Sequence, residues 1–328
     1  KGYLDERSPW FVSFGRSGMP LDIGWYYGYD GNEGTAVDLL PVLLHELGHG
    51  LGFQTFTDLQ TGLPLSGLTD VFARSIYDRT VSKHWNQMTN AERIASAINT
   101  GNVIWDGSVT TAATGLALGP PAVVKVTSPA SIVGTYLAGT ATFGPSVTTL
   151  TRIGQVVLAV DAVAPVNDGC TTLTNASALV GKIALIDRGT CAFVVKAQMA
   201  QAANALGVII VNNVAGSTPP GMSGTDPSIT IPVLSVTQAT GDLIKAHLAE
   251  GVQVMLTVDR TQLAGTDGQG HVLLYAPNPL QLGSSISHFD VSASPNLLME
   301  PSINRDLEAG DVDRSPGDAR STTGAAGP

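Results

Sequence analysis

The segment "LLHELGHGLGF", Leu43 to Phe53, constrains this chain more than any other stretch. It carries two histidines four residues apart with a glutamate beside the first, and residues at that spacing share a face on a helix. The surrounding "TAVDLLPVLLHELGHGLGF" supplies both ends of such a helix. Asp38 reads as the N-cap, and Pro41 falls at the third helical position, where its missing N–H would have had no partner. Leu43, Leu44, Leu47 and Leu51 supply an apolar face, and Gly50 and Gly52 supply the stop.

On such a helix His45 and His49 can each present a ring nitrogen to one ion at about 2.0–2.1 Å. Glu46 lies about 100° round the axis, beside the ion rather than on it, where a carboxylate can take a proton from water. With 6 histidines in 328 residues, composition alone produces an HExxH in roughly two such chains in a thousand, so a zinc site is the stronger reading. A catalytic zinc needs three protein ligands and one open position. Three residues beyond Gly52, where a compact site would place the third, stands Thr55.

The remaining candidates differ in quality. Glu92 sits at capping-box spacing from Thr89, which accounts for it without metal. His84, in "SKHWNQM", reads as a surface or partly packed residue. His247 falls on a predicted helix of a different segment and is expected to be solvated there, and His271 lies in a Gly-rich loop. His288, in the polar and flexible "GSSISHFD", is the strongest candidate.

Residues 1–34 read as short aromatic strands or loops, and the pattern from Thr69 to Thr100 reads as helical. From about Gly101 to Arg260 the chain turns rich in Val, Thr, Ala and Gly. There "GKIALIDRG", "VIIVNN", "IPVLSV" and "VQVMLTV" read as strands, and "CAFVVKAQMAQAANALG" and "TQATGDLIKAHLAEG" as helices. Strands alternating with helices at this spacing make a small α/β domain. The tail from residue 307 to 328 lacks apolar periodicity and reads as disordered. Calcium finds no support, because loops such as "YDGNEG" read first as turns.

Only 13% of residues are charged and the net charge is −10, which argues against nucleic acid or an anionic membrane as a partner. No apolar run reaches the roughly 18–20 residues of a membrane span. The chain opens on Lys1 with no signal peptide or propeptide in view, as a processed product or a fragment would. Its two cysteines, Cys170 and Cys191, read as a disulfide closing a loop of about 22 residues, worth about 3 kcal/mol in an oxidising compartment. A secreted, extracellular protein of bacterial type is expected.

"HELGHGLGF", a long interval, then "SSISHFD" and "NLLMEPSIN" resemble the metzincin clan of zinc endopeptidases, and more narrowly its leishmanolysin-like members, in which an insertion displaces the third zinc histidine far downstream. The resemblance implies one catalytic zinc on His45, His49 and His288, Glu46 as general base, Gly52 as the helix-ending glycine, and Met299 as the methionine of a tight turn beneath the metal. "LVGKIALIDRGTCAFVVKAQMAQAANALGVIIVNN" followed by "ITIPVLSVTQATGDLIKAHLAEG" is similar to a protease-associated (PA) domain. Such domains lack catalytic residues and are thought to bind substrates or partners, or to regulate access.

The implied architecture is α+β: a metzincin-like protease domain with a partial N-terminal sheet, active-site helix and methionine turn, interrupted by an α/β domain of PA type. The expected boundaries are 1–118 and 263–306 for the protease segments, 119–262 for the insertion and 307–328 for the tail. The resemblance implies a polypeptide substrate. Asp290, two residues after His288, reads either as orienting a ligand imidazole by hydrogen bond or as a surface residue. The alternative is a catalytically impaired homologue that binds polypeptide or glycan through the PA-like domain, and an intact Glu46 favours the enzyme.

Overall fold

The computed structural model describes residues 25–28, 36–216 and 218–302. The "YDGNEG" loop, most of the aromatic N-terminal segment and the expected tail lie outside the described residues. The chain divides into two compact units, one of residues 1–119 with 265–328 and one of residues 120–264.

The first unit begins with β1 (Trp25–Tyr26), parallel to β2 (Val37–Asp38), which leads into α1 (Leu39–Gly50). The Asp38 carboxylate accepts from the Leu40 amide at 3.1 Å, which satisfies one N-terminal donor that the helix cannot. After Leu51 the chain turns at Gly52, whose φ of +107° disfavours any side chain.

The expected apolar face is not the buried one. Leu43, Leu47 and Leu51 are 50%, 52% and 90% exposed, whereas Pro41 and His45 are buried. Leu43 and Leu47 lie about 160° round the axis from His45, so α1 packs by its histidine face.

The predicted helix from Thr69 is largely absent. In its place come β3 (Ile76–Asp78) and β4 (Lys83–His84), and only α2 (Asn90–Ser96) is an α-helix. The Asp78 carboxylate accepts from the Thr80 amide at 2.8 Å and closes the turn between the strands. Ile76 and Tyr77 pair with β5 (Val103–Trp105), so pairing of a β-branched and an aromatic residue overrides the local periodicity. Thr89 and Glu92 form the expected capping box on α2, and α3 (Ser108–Ala117) follows β5.

The second unit holds β6 (Ala122–Ser128), β7 (Gly134–Leu137), β8 (Gly139–Thr140), β9 (Arg152–Leu158), α4 (Ala176–Leu179), β10 (Ile183–Asp187), α5 (Phe193–Ala202), β11 (Gly207–Val211), β12 (Val233–Val236), α6 (Gln238–Ala246) and β13 (Gln253–Val258). One eight-stranded sheet runs in the order β7-β6-β13-β9-β10-β11-β12-β8, with β9 to β12 parallel. Successive side chains of a strand point to opposite faces. Ile183, Leu185, Ile209 and Val211 therefore enter one core, and Ala184, Ile186, Val208 and Ile210 enter the other. Burial on both faces explains why these strands read as unbroken apolar runs. Each large aliphatic side chain so buried contributes about 1.5–3 kcal/mol.

The first unit resumes with β14 (Val272–Leu273), which completes an antiparallel sheet in the order β14-β5-β3-β4. Phe72, Ile76, Trp85, Met88, Val103, Leu274 and Ile286 form its core. The two sides of the chain break meet inside this unit. The Gly119 amide donates to Ser294 O at 2.7 Å, and Gly265 lies so close to Ala293 that a Cβ on it would stand 2.6 Å from Ala293 Cα.

Candidate metal centre

Helix α1 aims His45 and His49 at the same point, and His288 arrives there from the segment after β14. The three Nε2 atoms lie 3.1 Å (His49 to His45), 3.2 Å (His49 to His288) and 3.3 Å (His288 to His45) apart. Three nitrogens held at 2.0–2.1 Å on a tetrahedral ion would stand about 3.3 Å from one another. His45 is 6% exposed and His288 is fully buried. Among the described residues this is the one cluster of His, Cys, Asp or Glu that meets the spacing of a metal site.

The tautomers follow from the other ring nitrogens. Nδ1 of His45 donates to Leu298 O at 2.7 Å, that of His49 to Phe53 O at 2.8 Å, and that of His288 to Ser284 O at 2.7 Å. A carbonyl only accepts, so each Nδ1 carries the proton and each Nε2 turns a lone pair inward. Three converging lone pairs repel one another unless a cation lies between them. Burial lowers the pKa of His49 and takes that of His288 to about 3, with the neighbouring imidazoles adding to the effect. Both rings are thus neutral at neutral pH, as metal ligands must be.

The backbone around the histidines locks this arrangement. A tight turn brings the Glu300 amide to Leu297 O at 3.1 Å, and the Glu300 carboxylate accepts from the Leu297 amide at 2.7 Å. That turn presents Leu298 O to His45, and the next carbonyl, Met299 O, accepts from the Phe289 amide at 2.8 Å. Met299 is 7% exposed and packs directly on Gly48, where a Cβ would stand 2.5 Å from its Sδ. On the other side, the Phe53 and Phe289 rings meet edge-on at 4.8 Å, joining the end of α1 to the residue after His288. Thr55, the position of the absent compact ligand, donates its amide to the Ser287 hydroxyl at 3.2 Å.

The other candidates lie outside the cluster. His84 pairs with Asp106 at 2.6 Å, and His271 pairs with Asp267 at 3.0 Å. His247, expected to be solvated, is three-quarters buried at the end of α6, its Nδ1 donating to Leu243 O at 2.9 Å. Glu92 is held by Lys83 at 2.6 Å and by its capping box. Asp290 is neither on the surface nor on a ligand ring: it is 5% exposed and accepts from the Ser292 amide and hydroxyl at 3.0 and 2.6 Å. Carbonyl oxygens take the orienting role expected of it, and burial raises its pKa. Sequence reasoning missed Leu298, Phe53, Ser284 and Glu300. The first three act through carbonyls, which every residue has, and only Glu300, closing a four-residue turn, left a readable trace. The expected disulfide is present, with Cys170 and Cys191 sulfurs 2.05 Å apart.

Residues 153–244 match the PA domain family. "Signal peptide peptidase-like 5" of Arabidopsis thaliana is 36% identical over 124 residues, 37% of this chain and 22% of that protein. "Leucine aminopeptidase 2" of Arthroderma otae is 35% identical over 141 residues, 40% of this chain and 27% of that protein. The chain thus spans about a quarter of the length of these curated relatives. Among solved structures, a zinc aminopeptidase from Bacillus subtilis aligns at 23% identity and a TM-score of 0.31, covering 46% of this chain and 36% of its own. At that score the likeness carries no argument about the metal centre. No helix among the described residues is long and apolar enough to cross a membrane.

Proposed function

We propose that this protein is a secreted zinc endopeptidase of metzincin type, resembling leishmanolysin-like members, whose catalytic unit is interrupted by a PA-type unit. One observation carries the reading: three imidazoles converge with Nε2 separations of 3.1–3.3 Å while backbone carbonyls hold all three Nδ1 protons. His45, His49 and His288 would hold the ion. The residues that hold it all lie outside 153–244, so the PA match and the metal centre are independent features. The peptidase names among the relatives agree with the reading at the level of a peptide hydrolase, and the disulfide suits an oxidising, extracellular setting.

A bound zinc supplies a Lewis acid that polarises the scissile carbonyl and lowers the pKa of water. Glu46, one residue after His45 on α1, would take the proton from the attacking water and pass it to the leaving amine. The three carbonyls keep the imidazoles from turning, so the ligand set is arranged before substrate arrives. An extended polypeptide is the substrate class.

The test is metal analysis and casein cleavage on the full chain. The expected result is one zinc per chain and cleavage abolished by chelator. Glu46→Ala should keep the zinc and lose about 10²–10⁴-fold in rate. Absence of zinc, or equal cleavage by the parent and Glu46→Ala, would refute the proposal. Zinc binding without cleavage by the parent would leave the unit as scaffold for a binding protein.

A further inference from the structure

Inside the unit of residues 120–264, Lys196 on α5 is fully buried. Its ammonium donates to Asp168 O and also meets Cys170 Sγ at 3.3 Å. The same sulfur faces the Cys191 amide at 3.2 Å and the Thr190 hydroxyl at 3.8 Å. The Lys196 ammonium and the Cys191 amide therefore converge on Cys170 Sγ, while the one hydrogen of the Thr190 hydroxyl also has Asp168 Oδ2 at 3.4 Å. Among the described residues no donor comes within hydrogen-bonding distance of Cys191 Sγ.

A disulfide sulfur is neutral and a weak acceptor, so the bonded state gains little from this arrangement. A thiolate at the same place would gain much more, because charge-assisted hydrogen bonds are roughly twice as strong as neutral ones. Opposing charge is also present. Asp161 and Asp168 are 3% exposed, but both carboxylates are engaged at the Cys170 amide, at 3.0 and 3.2 Å. The ammonium meets the sulfur itself. Burial lowers the pKa of Lys196, and those two carboxylates with Asp187 offset that effect only in part. Both cysteines are half-buried, but Cys191 lies between the exposed Thr190 and Ala192, whereas Cys170 follows the buried Gly169, so access favours the Cys191 end of the bond.

We propose that the Cys170–Cys191 disulfide is a one-sided thiol-exchange site, attacked at Cys191 by the thiolate of a dithiol reductant, with Cys170 as the leaving thiolate held by Lys196. In the first step the attacking sulfur bonds to Cys191 Sγ, the Cys170–Cys191 bond breaks and its electron pair leaves on Cys170. In the second, the reductant's other thiolate attacks the mixed disulfide at the reductant's own sulfur and releases Cys191. The reductant ends as a disulfide and the chain gains two electrons. A leaving group with a lowered thiol pKa departs faster and makes the bond more readily reduced. The inference is independent of the zinc reading.

The test uses the full chain and glutathione as a single-thiol probe, which stops the reaction at the mixed disulfide. After a short exposure, acid quench and alkylation, mass spectrometry maps both cysteines. The expected result is glutathione on Cys191 and alkyl label on Cys170, by at least about tenfold. Lys196→Met should slow the exchange about tenfold and erase the preference, and Lys196→Arg should restore part of it. Glutathione shared evenly or found on Cys170 would overturn the proposal, and so would unchanged rate and preference in Lys196→Met. The mapping in the parent chain needs no variant, so misfolding of a substituted chain leaves the test intact.

Discussion

Gly48 lies between the two helix histidines and against Met299, so an added methyl there should disturb the histidine cluster more than the fold. In Gly48→Ala the new Cβ would stand 2.5 Å from Met299 Sδ, 3.2 Å from Cε and 3.8 Å from Cγ. Non-bonded heavy atoms rest at about 3.5–4.0 Å, so the sulfur must withdraw by about 1 Å. Overpacking of this kind costs about 1–3 kcal/mol. Replacing a helical glycine by alanine returns about 1 kcal/mol, which leaves a net loss of about 0–2 kcal/mol in the apo protein. Met299 is 7% exposed, so its side chain must repack among close neighbours, and the adjacent Leu298 carbonyl orients His45 at 2.7 Å. Disturbing such an outer partner costs about 10–100-fold in metal affinity. Gly50→Ala is the control, since nothing lies within 4 Å of a Cβ at that position. It should gain about 0.5–1 kcal/mol and leave zinc affinity unchanged. Urea unfolding of the apo forms and competition against a chromophoric chelator measure both quantities. Adding Met299→Ala to Gly48→Ala should recover stability beyond the sum of the single effects. If the two glycine variants bind zinc alike, the packing argument is wrong.

Two further outcomes follow from the first unit. Asp70 accepts from the Phe56 amide at 2.8 Å, the Thr55 hydroxyl at 3.1 Å and the Ala73 amide at 2.7 Å. Asp70→Ala should cost about 1–3 kcal/mol by urea unfolding and weaken the segment that meets Ser287, and a loss below about 0.5 kcal/mol would count against that anchor. Glu92 has its pKa lowered from 4.5 to about 2, first by its hydrogen bond to Lys83 and then by the Thr89 amide. A depressed carboxyl stabilises fully above its unfolded value, and that contribution fades as pH falls from about 4.5 through about 2. Carboxyl NMR titration should show the low midpoint, rising in Lys83→Met, and an unmoved midpoint would remove Lys83 as the cause.

How much of this was readable depends on the physics of each element. Strands β10 and β11 are buried on both faces, so continuous runs such as "VIIVNN" announce them without knowledge of neighbours. The capping residues Asp38, Thr89 and Glu92 act within a few positions of themselves and were equally plain. The stretch from Thr69 to Met88 was misread because its conformation is decided by pairing with Val103–Trp105, more than twenty residues away in the chain. The leucines of α1 were assigned to the core because apolar side chains ordinarily are, whereas the buried side carries His45. His288 could be nominated from composition and resemblance, but its meeting with His45 and His49 rests on carbonyls that no residue identity encodes. Asp290 was misplaced for the same reason: a backbone acceptor had already taken the work expected of its carboxylate.

The meeting of Gly119 and Gly265 at Ala293 and Ser294 has a consequence for the order of events during synthesis. His49 and His288 are 239 positions apart, and at about 5–20 residues per second the ribosome needs roughly 12–48 s to deliver the second after the first. Residues 120–264 form one uninterrupted stretch whose pairings are internal to it, so that unit can complete itself while the rest of the chain is still being made. The unit that gathers the three imidazoles cannot do so until residues 265–300 emerge and Ser294 finds Gly119. Its helix waits through that interval with two histidines, a free acid and exposed leucines in the open. A nascent chain arrested after Ala264 should therefore already resist proteolysis across 120–264 while remaining sensitive around α1.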